Sequence, residues 1–291
     1  IVAPGSTNFY AFYSMNNSFY SPGVSAGVTT LVYQAGEIVE QFGYTNGVGL
    51  QALNGGQGWT NTWTISVPRT NTDAVVDAVN FTTFQSFWPT EYGNRLLLAT
   101  TSSFTYAAFR GFPAVSTGSI YVAALYRREF NEGADGKFSG ISFMNGSTEI
   151  AFVGEPGGSG NDDRFGVDSG GSPVTSGGND SFPAATDYLL IGRYDFASGT
   201  MQGIYYTSAQ SVPSAEPTYL ATVSGTPAAQ INGIRLASGA SSGWNGQTYF
   251  DEVRVAQSWA ELLRLTQPVA TNYSINGGAN VTDGQIVGGN Y

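Results

Sequence analysis

The feature that most constrains this chain is its division into short strand-like runs by glycine- and proline-rich clusters. Alternating or β-branched runs fall at residues 63–67, 119–126, 140–144, 149–153, 188–192, 202–206, 233–236 and 248–255. Turn-forming clusters at 157–162, 169–173 and 176–180 separate several of them. Many short strands at this spacing predict a sandwich or barrel. Glycine supplies 39 of the 291 residues, about twice the usual share. Two segments carry a helical pattern. One is 258–265, with Ser258 as N-cap and Glu261 at the third helical position. The other is 72–79.

Two absences narrow the chemistry. The chain has no histidine and no cysteine. Ser-His-Asp and Cys-His nucleophiles, His- or Cys-bound metals and disulfides are therefore excluded. The single lysine, Lys137, precedes Phe138, so it cannot complete a phosphate-binding loop. Carboxylate chemistry or a carboxylate-bound cation is what remains. Gly23–Gly27 and Gly239–Gly243 match the spacing of a serine nucleophile elbow, but without histidine they are chance matches.

Net charge is -10, and the arginines are scattered from Arg69 to Arg264. No basic patch exists to meet nucleic acid or an anionic membrane surface. No apolar run reaches the length of a membrane-spanning helix, so membrane insertion is not expected. The start at Ile1 and the uncharged polar composition lead us to expect an extracellular or cell-surface protein whose signal peptide has been removed.

Two groups of residues resemble a known family. The first is Glu40, Phe42, Tyr44, Gly49-Leu50, Asn54-Gly55-Gly56-Gln57-Gly58-Trp59 and Trp63. The second is Tyr249-Phe250-Asp251-Glu252-Val253-Arg254-Val255-Ala256, followed by Ser258-Trp259-Ala260-Glu261-Leu262-Leu263. Together they resemble the LamG-like, concanavalin A-like jelly-roll domains of bacterial secreted and surface proteins, over about residues 35–266. The resemblance implies an all-β, two-sheet antiparallel jelly-roll sandwich of the kind used by lectins. Fold alone does not assign a role. The Glu-x-Asp-x-x-Glu string of related glycosidases is missing, so no catalytic residues and no enzyme activity are expected.

Candidate sites follow from residue chemistry. Asp162, Asp163 and Asp168 cluster hard oxygens of the kind calcium takes. Asn131, Glu132 and Asp135 form a second such loop. Trp244, in a Gly-Trp-Asn-Gly turn, is the best candidate for stacking on a sugar ring. Trp59 and Trp63 read as core residues. Glu252 and Arg254, two apart on a strand, read as a structural ion pair.

The ends differ from the middle. Residues 1–36 carry no charge, and 269–291 carry only Asp283. We expect an extended N-terminal tail (1–30), a jelly-roll domain (31–268) and an extended C-terminal tail (269–291). Uncharged edge-pairing segments lack the residues that block strand addition. Phe9, Tyr10, Phe12, Tyr13, Phe19, Tyr20, Tyr273, Ile275, Val281, Ile286 and Val287 are the candidate assembly residues. The sequence thus leads to a non-enzymatic extracellular structural protein, a homo-oligomer or polymer that builds a filament or surface layer through its tails. The alternative is a lectin-like module for glycan binding and adhesion that uses calcium.

Overall fold

The structure, a computed structural model, describes residues 7–12, 15–16, 19–20, 24–29, 37–66, 74–77, 81, 94–100, 105–130, 138–157, 163–177, 181–239, 246–263, 273–274 and 280–281. Numbered along the chain, the strands are β1 (Thr7–Phe12), β2 (Met15–Asn16), β3 (Phe19–Tyr20), β4 (Val24–Thr29), β5 (Ile38–Glu40), β6 (Thr64–Ile65), β7 (Ala74–Asp77), β8 (Arg95–Thr100), β9 (Tyr106–Val115), β10 (Ser119–Phe130), β11 (Phe138–Asn145), β12 (Thr148–Glu155), β13 (Phe165–Asp168), β14 (Val174–Ser176), β15 (Tyr188–Asp195), β16 (Thr200–Thr207), β17 (Ala221–Ser224), β18 (Ile231–Gly239), β19 (Gly246–Ala256), β20 (Tyr273–Ser274) and β21 (Asn280–Val281). The helix among the described residues is α1 (Trp259–Leu262).

Contacts divide the chain into two units, residues 36–263 and a second made of 1–35 with 264–291. In the second unit β1 pairs with β4, β2 with β3 and β20 with β21, all antiparallel. β20 lies beside β4, so this unit joins strands from both ends of the chain. Of the candidate assembly residues, Phe9, Tyr10 and Phe12 fall in β1, Phe19 and Tyr20 in β3, Tyr273 in β20 and Val281 in β21. Tyr13, Ile275, Ile286 and Val287 lie outside the described residues.

Residues 36–263 form two antiparallel sheets. One runs β17-β16-β15-β10-β19-β8-β7, with β5 also on β19. The other runs β14-β13-β12-β11-β18-β9-β6. β10 shows how side-chain alternation builds the sandwich. Ile120, Val122, Ala124 and Tyr126 enter the main apolar core. Tyr121, Ala123 and Leu125 join a second cluster with Leu189, Ile191 and Trp259 and Leu262 of α1. Both faces of this strand are buried, which accounts for its unbroken apolar run. The fold is the jelly-roll sandwich expected from the sequence.

One local reading needs correction, and one strand departs from simple alternation. Residues 74–77 were expected within a helix but form β7, antiparallel to β8. Val76 is buried, and its backbone also bonds Val48 and Gly47. An eight-residue helix is marginal in water, whereas β-branched Val75 and Val76 suit a paired strand. In β19, strict alternation would place Asp251 on the face of Val253. Instead the register slips between Ala123/Arg254 and Leu125/Asp251, with Glu252 at φ 48°. This bulge adds one residue, so Phe250 joins Val253 and Val255 in the core. The other expected helix forms over four residues, where Ser258 Oγ accepts from Glu261 N at 3.2 Å.

Candidate functional site

The first motif is a buried electrostatic knot. Glu40 is 1 % exposed, and its carboxylate accepts from Phe42 N at 2.9 Å, Tyr44 Oη at 2.8 Å and Trp63 Nε1 at 3.1 Å. Arg110 closes the pair through Nη1. Burial, then the charge of Glu40, pushes the Tyr44 hydroxyl up to about 12. A buried ion pair persists only where its remaining hydrogen-bonding capacity is also met. Here Arg110 Nη2 donates to Asn54 Oδ1 at 2.9 Å and Gly55 O at 2.7 Å, and Nε donates to Asn61 O at 3.1 Å. The guanidinium lies 5.1 Å from the Trp59 ring and 5.3 Å from that of Trp63. The knot therefore fastens segment 54–61 to the core. Trp63 is fully buried and Trp59 half-buried against it, as core packing requires.

What the knot fastens lines a cleft. Arg110 and Phe112 are buried, so alternation along β9 turns Phe109 and Gly111 to the outer face of the sheet. A cleft of about 280 Å³ opens there, lined in part by Thr60, Asn61, Phe109, Gly111, Met144 and Asn232. Thr64, Arg110, Phe112, Gly146, Gly233 and Ile234 line the rest of it. Gly111 and Gly233 are cross-strand partners. A Cβ at Gly111 would come within 3.0 Å of Thr60 Oγ1, and one at Gly233 within 3.0 Å of Arg110 O. Neither glycine has a left-handed φ, so space rather than backbone conformation favours glycine at both.

Two amides on the rim are held by the backbone. Asn61 Oδ1 accepts from Gly111 N at 2.7 Å, and Asn232 Oδ1 accepts from Gly146 N at 2.8 Å. Gly146 adopts φ 59° in the turn between β11 and β12, which glycine permits. The surface is uncharged and amphipathic, with amide and hydroxyl groups beside an aromatic ring. Arg235, which pairs across strands with Phe109, is already engaged by Glu149.

Of the candidate site residues read from the sequence, the described Asp163 and Asp168 do not line this cleft. Trp244 and Asp162 are outside the described residues, as are Asn131, Glu132 and Asp135. Asp163 pairs with Arg128 Nη2 at 2.9 Å, and Asp168 Oδ1 accepts from Gly171 N at 2.9 Å. No cluster of three potential metal ligands occurs among the described residues. Three buried glutamates are engaged with arginines: Glu40 with Arg110, Glu155 with Arg128, and Glu252 with Arg254 at 3.2 Å. Burial raises the Glu252 carboxyl above its ordinary range, against the pull of Arg254. Sequence reasoning missed the cleft. Its one signal is Asn232-Gly233, a turn-like pair inside β18, where the register against β9 slips.

No protein-family model and no curated protein matches the chain. Solved structures do. A sialidase superposes with TM-score 0.50 at 13% identity, over 88% of this chain and 21% of that one. The chain thus spans about a fifth of the sialidase's length. Lectin II from Ulex europaeus gives 0.43 at 9% identity, over 76% of this chain and 97% of that one. A legume lectin-like domain from Entamoeba histolytica gives 0.42 at 5% identity, over 67% and 90%. At such identities the likeness is one of architecture. Among the described residues no helix is long and apolar enough to cross a membrane. With its two antiparallel sheets, the 36–263 unit has a concanavalin A-like jelly-roll fold.

Proposed function

We propose that the chain is a non-enzymatic, extracellular glycan-binding module, with its site in the cleft between the 60–64 segment and strands β9, β11 and β18. The observation that supports it is the make-up of the cleft. An aromatic ring, two oriented amides, two threonine hydroxyls and a glycine floor suit a polyhydroxylated ring with one apolar face. The test is a glycan array probed with the full chain and with Phe109→Ala. Saccharide binding that drops at least tenfold in the variant supports the reading. Binding to no glycan, or equal binding by both proteins, overturns it. Repeating the array with a chelator tests the expected calcium site at Asp162, Asp163 and Asp168. Trp244→Ala tests the tryptophan platform.

A second reading is assembly of copies through the terminal segments into a filament or surface layer. It rests on the strands those segments form, including β20 beside β4. Electron microscopy and sedimentation of the full chain at high concentration decide it. A strict monomer removes it.

A further inference from the structure

The orientation of the two rim amides carries a ligand class. Asparagine offers an oxygen that accepts and an NH₂ that donates. Backbone N–H groups occupy the oxygens of both Asn61 and Asn232, from Gly111 and Gly146. A flip of either amide would set NH₂ against N–H, so both orientations are fixed. Each Nδ2 has no acceptor among the described residues. Both amides therefore offer the cleft donors.

A plain sugar hydroxyl both donates and accepts, so fixed donors favour it little over other oxygens. A carbonyl oxygen only accepts. Beside the donors, the side walls supplied by Phe109 and Met144 are apolar. The group that combines a carbonyl oxygen with a small apolar end is an acetamido group.

We infer that the cleft selects N-acetylated hexosamines, with the acetamido carbonyl accepting from Asn61 Nδ2 or Asn232 Nδ2 and the methyl packed between Phe109 and Met144. This rests on the glycan-binding reading of the same cleft. De-acetylation would remove the carbonyl and present an ammonium to the donors, so the free amine is rejected. A plain hydroxyl at that carbon binds weakly.

The experiment measures binding of the full chain to glucose and galactose oligosaccharides in three forms: plain, N-acetylated and de-acetylated. Asn61→Asp and Asn232→Asp are nearly isosteric. Each keeps an oxygen for the Gly111 or Gly146 N–H and replaces the donor with an acceptor. The expected result is at least tenfold preference for the N-acetylated form, reduced at least fivefold in one or both Asp variants at unchanged thermal midpoint. Equal binding of plain and N-acetylated forms, with Phe109→Ala still abolishing it, overturns the inference and leaves the glycan reading standing. So does a preference that survives both Asp variants. Binding to none of the forms, or binding indifferent to Phe109→Ala, overturns both. If the Asp variants lose thermal stability, Asn61→Ala and Asn232→Ala, which remove the amide donor and put no other donor in its place, are scored by the same N-acetyl preference.

Discussion

Arg110 Nε donates to the carbonyl oxygen of Asn61 at 3.1 Å, so a guanidinium buried in the core holds a residue of the cleft rim. The same side chain pairs with Glu40, and both are almost fully enclosed. Removing one partner of such a pair leaves an uncompensated buried charge, which costs about 3–5 kcal/mol. Glu40→Gln should lower unfolding stability by about that amount in urea titration. Arg110→Lys keeps the charge but loses the fork that reaches Asn54, Gly55 and Asn61. It should lose ligand affinity beyond what its stability loss explains. A lysine variant with unchanged affinity would show that the 54–61 segment holds its place without the guanidinium.

The glycine floor makes a separate prediction. Gly111→Ala and Gly233→Ala meet no φ restriction, but each places a methyl close to its neighbours. The Thr60 side chain can turn away from Gly111, whereas the Arg110 carbonyl facing Gly233 is fixed. Gly111→Ala should therefore cost about 0.5 kcal/mol of stability, the range of surface changes. Gly233→Ala should cost more. Both should weaken saccharide binding at least fivefold, measured by calorimetry on folded protein. Undiminished affinity in both variants places the ligand away from the floor.

Glu252 gives a pH prediction. Its folded carboxyl is raised above the ordinary 4.5, chiefly by burial. Between those two values the folded state holds a proton that the unfolded chain releases. Its contribution is then greatest below pH 4.5 and falls as pH rises through the raised value. Glu252→Gln removes this dependence. Thermal midpoints of the two proteins between pH 4 and pH 8 should diverge with rising pH, with the wild type losing ground relative to the variant. Parallel curves would mean that Arg254 and Gln41, whose Nε2 donates to Glu252 Oε1 at 2.7 Å, keep the carboxylate ionised at no net cost.

The sandwich was legible because its signals are local. The apolar run of β10 and the turn clusters belong to single segments, and so do the two motifs. The function of the first motif was not legible. Glu40 and Arg110 lie 70 positions apart, and only the sheet topology brings them together. The cleft was hidden for the same reason. It joins Thr60 and Asn61 to Phe109, Met144 and Asn232, none of which carries a charge or a known spacing. The bulge at Glu252 was invisible because alternation has no marker for a left-handed glutamate. Segment 72–79 misled because Val75 and Val76 fit two periods, and pairing with β8 decided between them.

Tyr126 supplies the last prediction. Its hydroxyl is bonded to Ser139 Oγ in the core, and its ring stacks on Phe182 at 5.7 Å. Burial pushes the hydroxyl up to about 12, and Tyr188 and Tyr206 rise to about the same value. The unfolded chain ionises these groups near pH 10. Their stabilising contribution is therefore complete below pH 10 and is lost as pH climbs towards 12. One fully shifted tyrosine steepens the stability curve by about 1.4 kcal/mol per pH unit. Tyrosinate absorbance and far-ultraviolet circular dichroism should change together in one cooperative step above pH 10. Tyr126→Phe should make that step shallower, while losing stability at neutral pH through the unpaired Ser139 hydroxyl. Gradual tyrosine ionisation with the sheet signal intact would place these hydroxyls in contact with solvent.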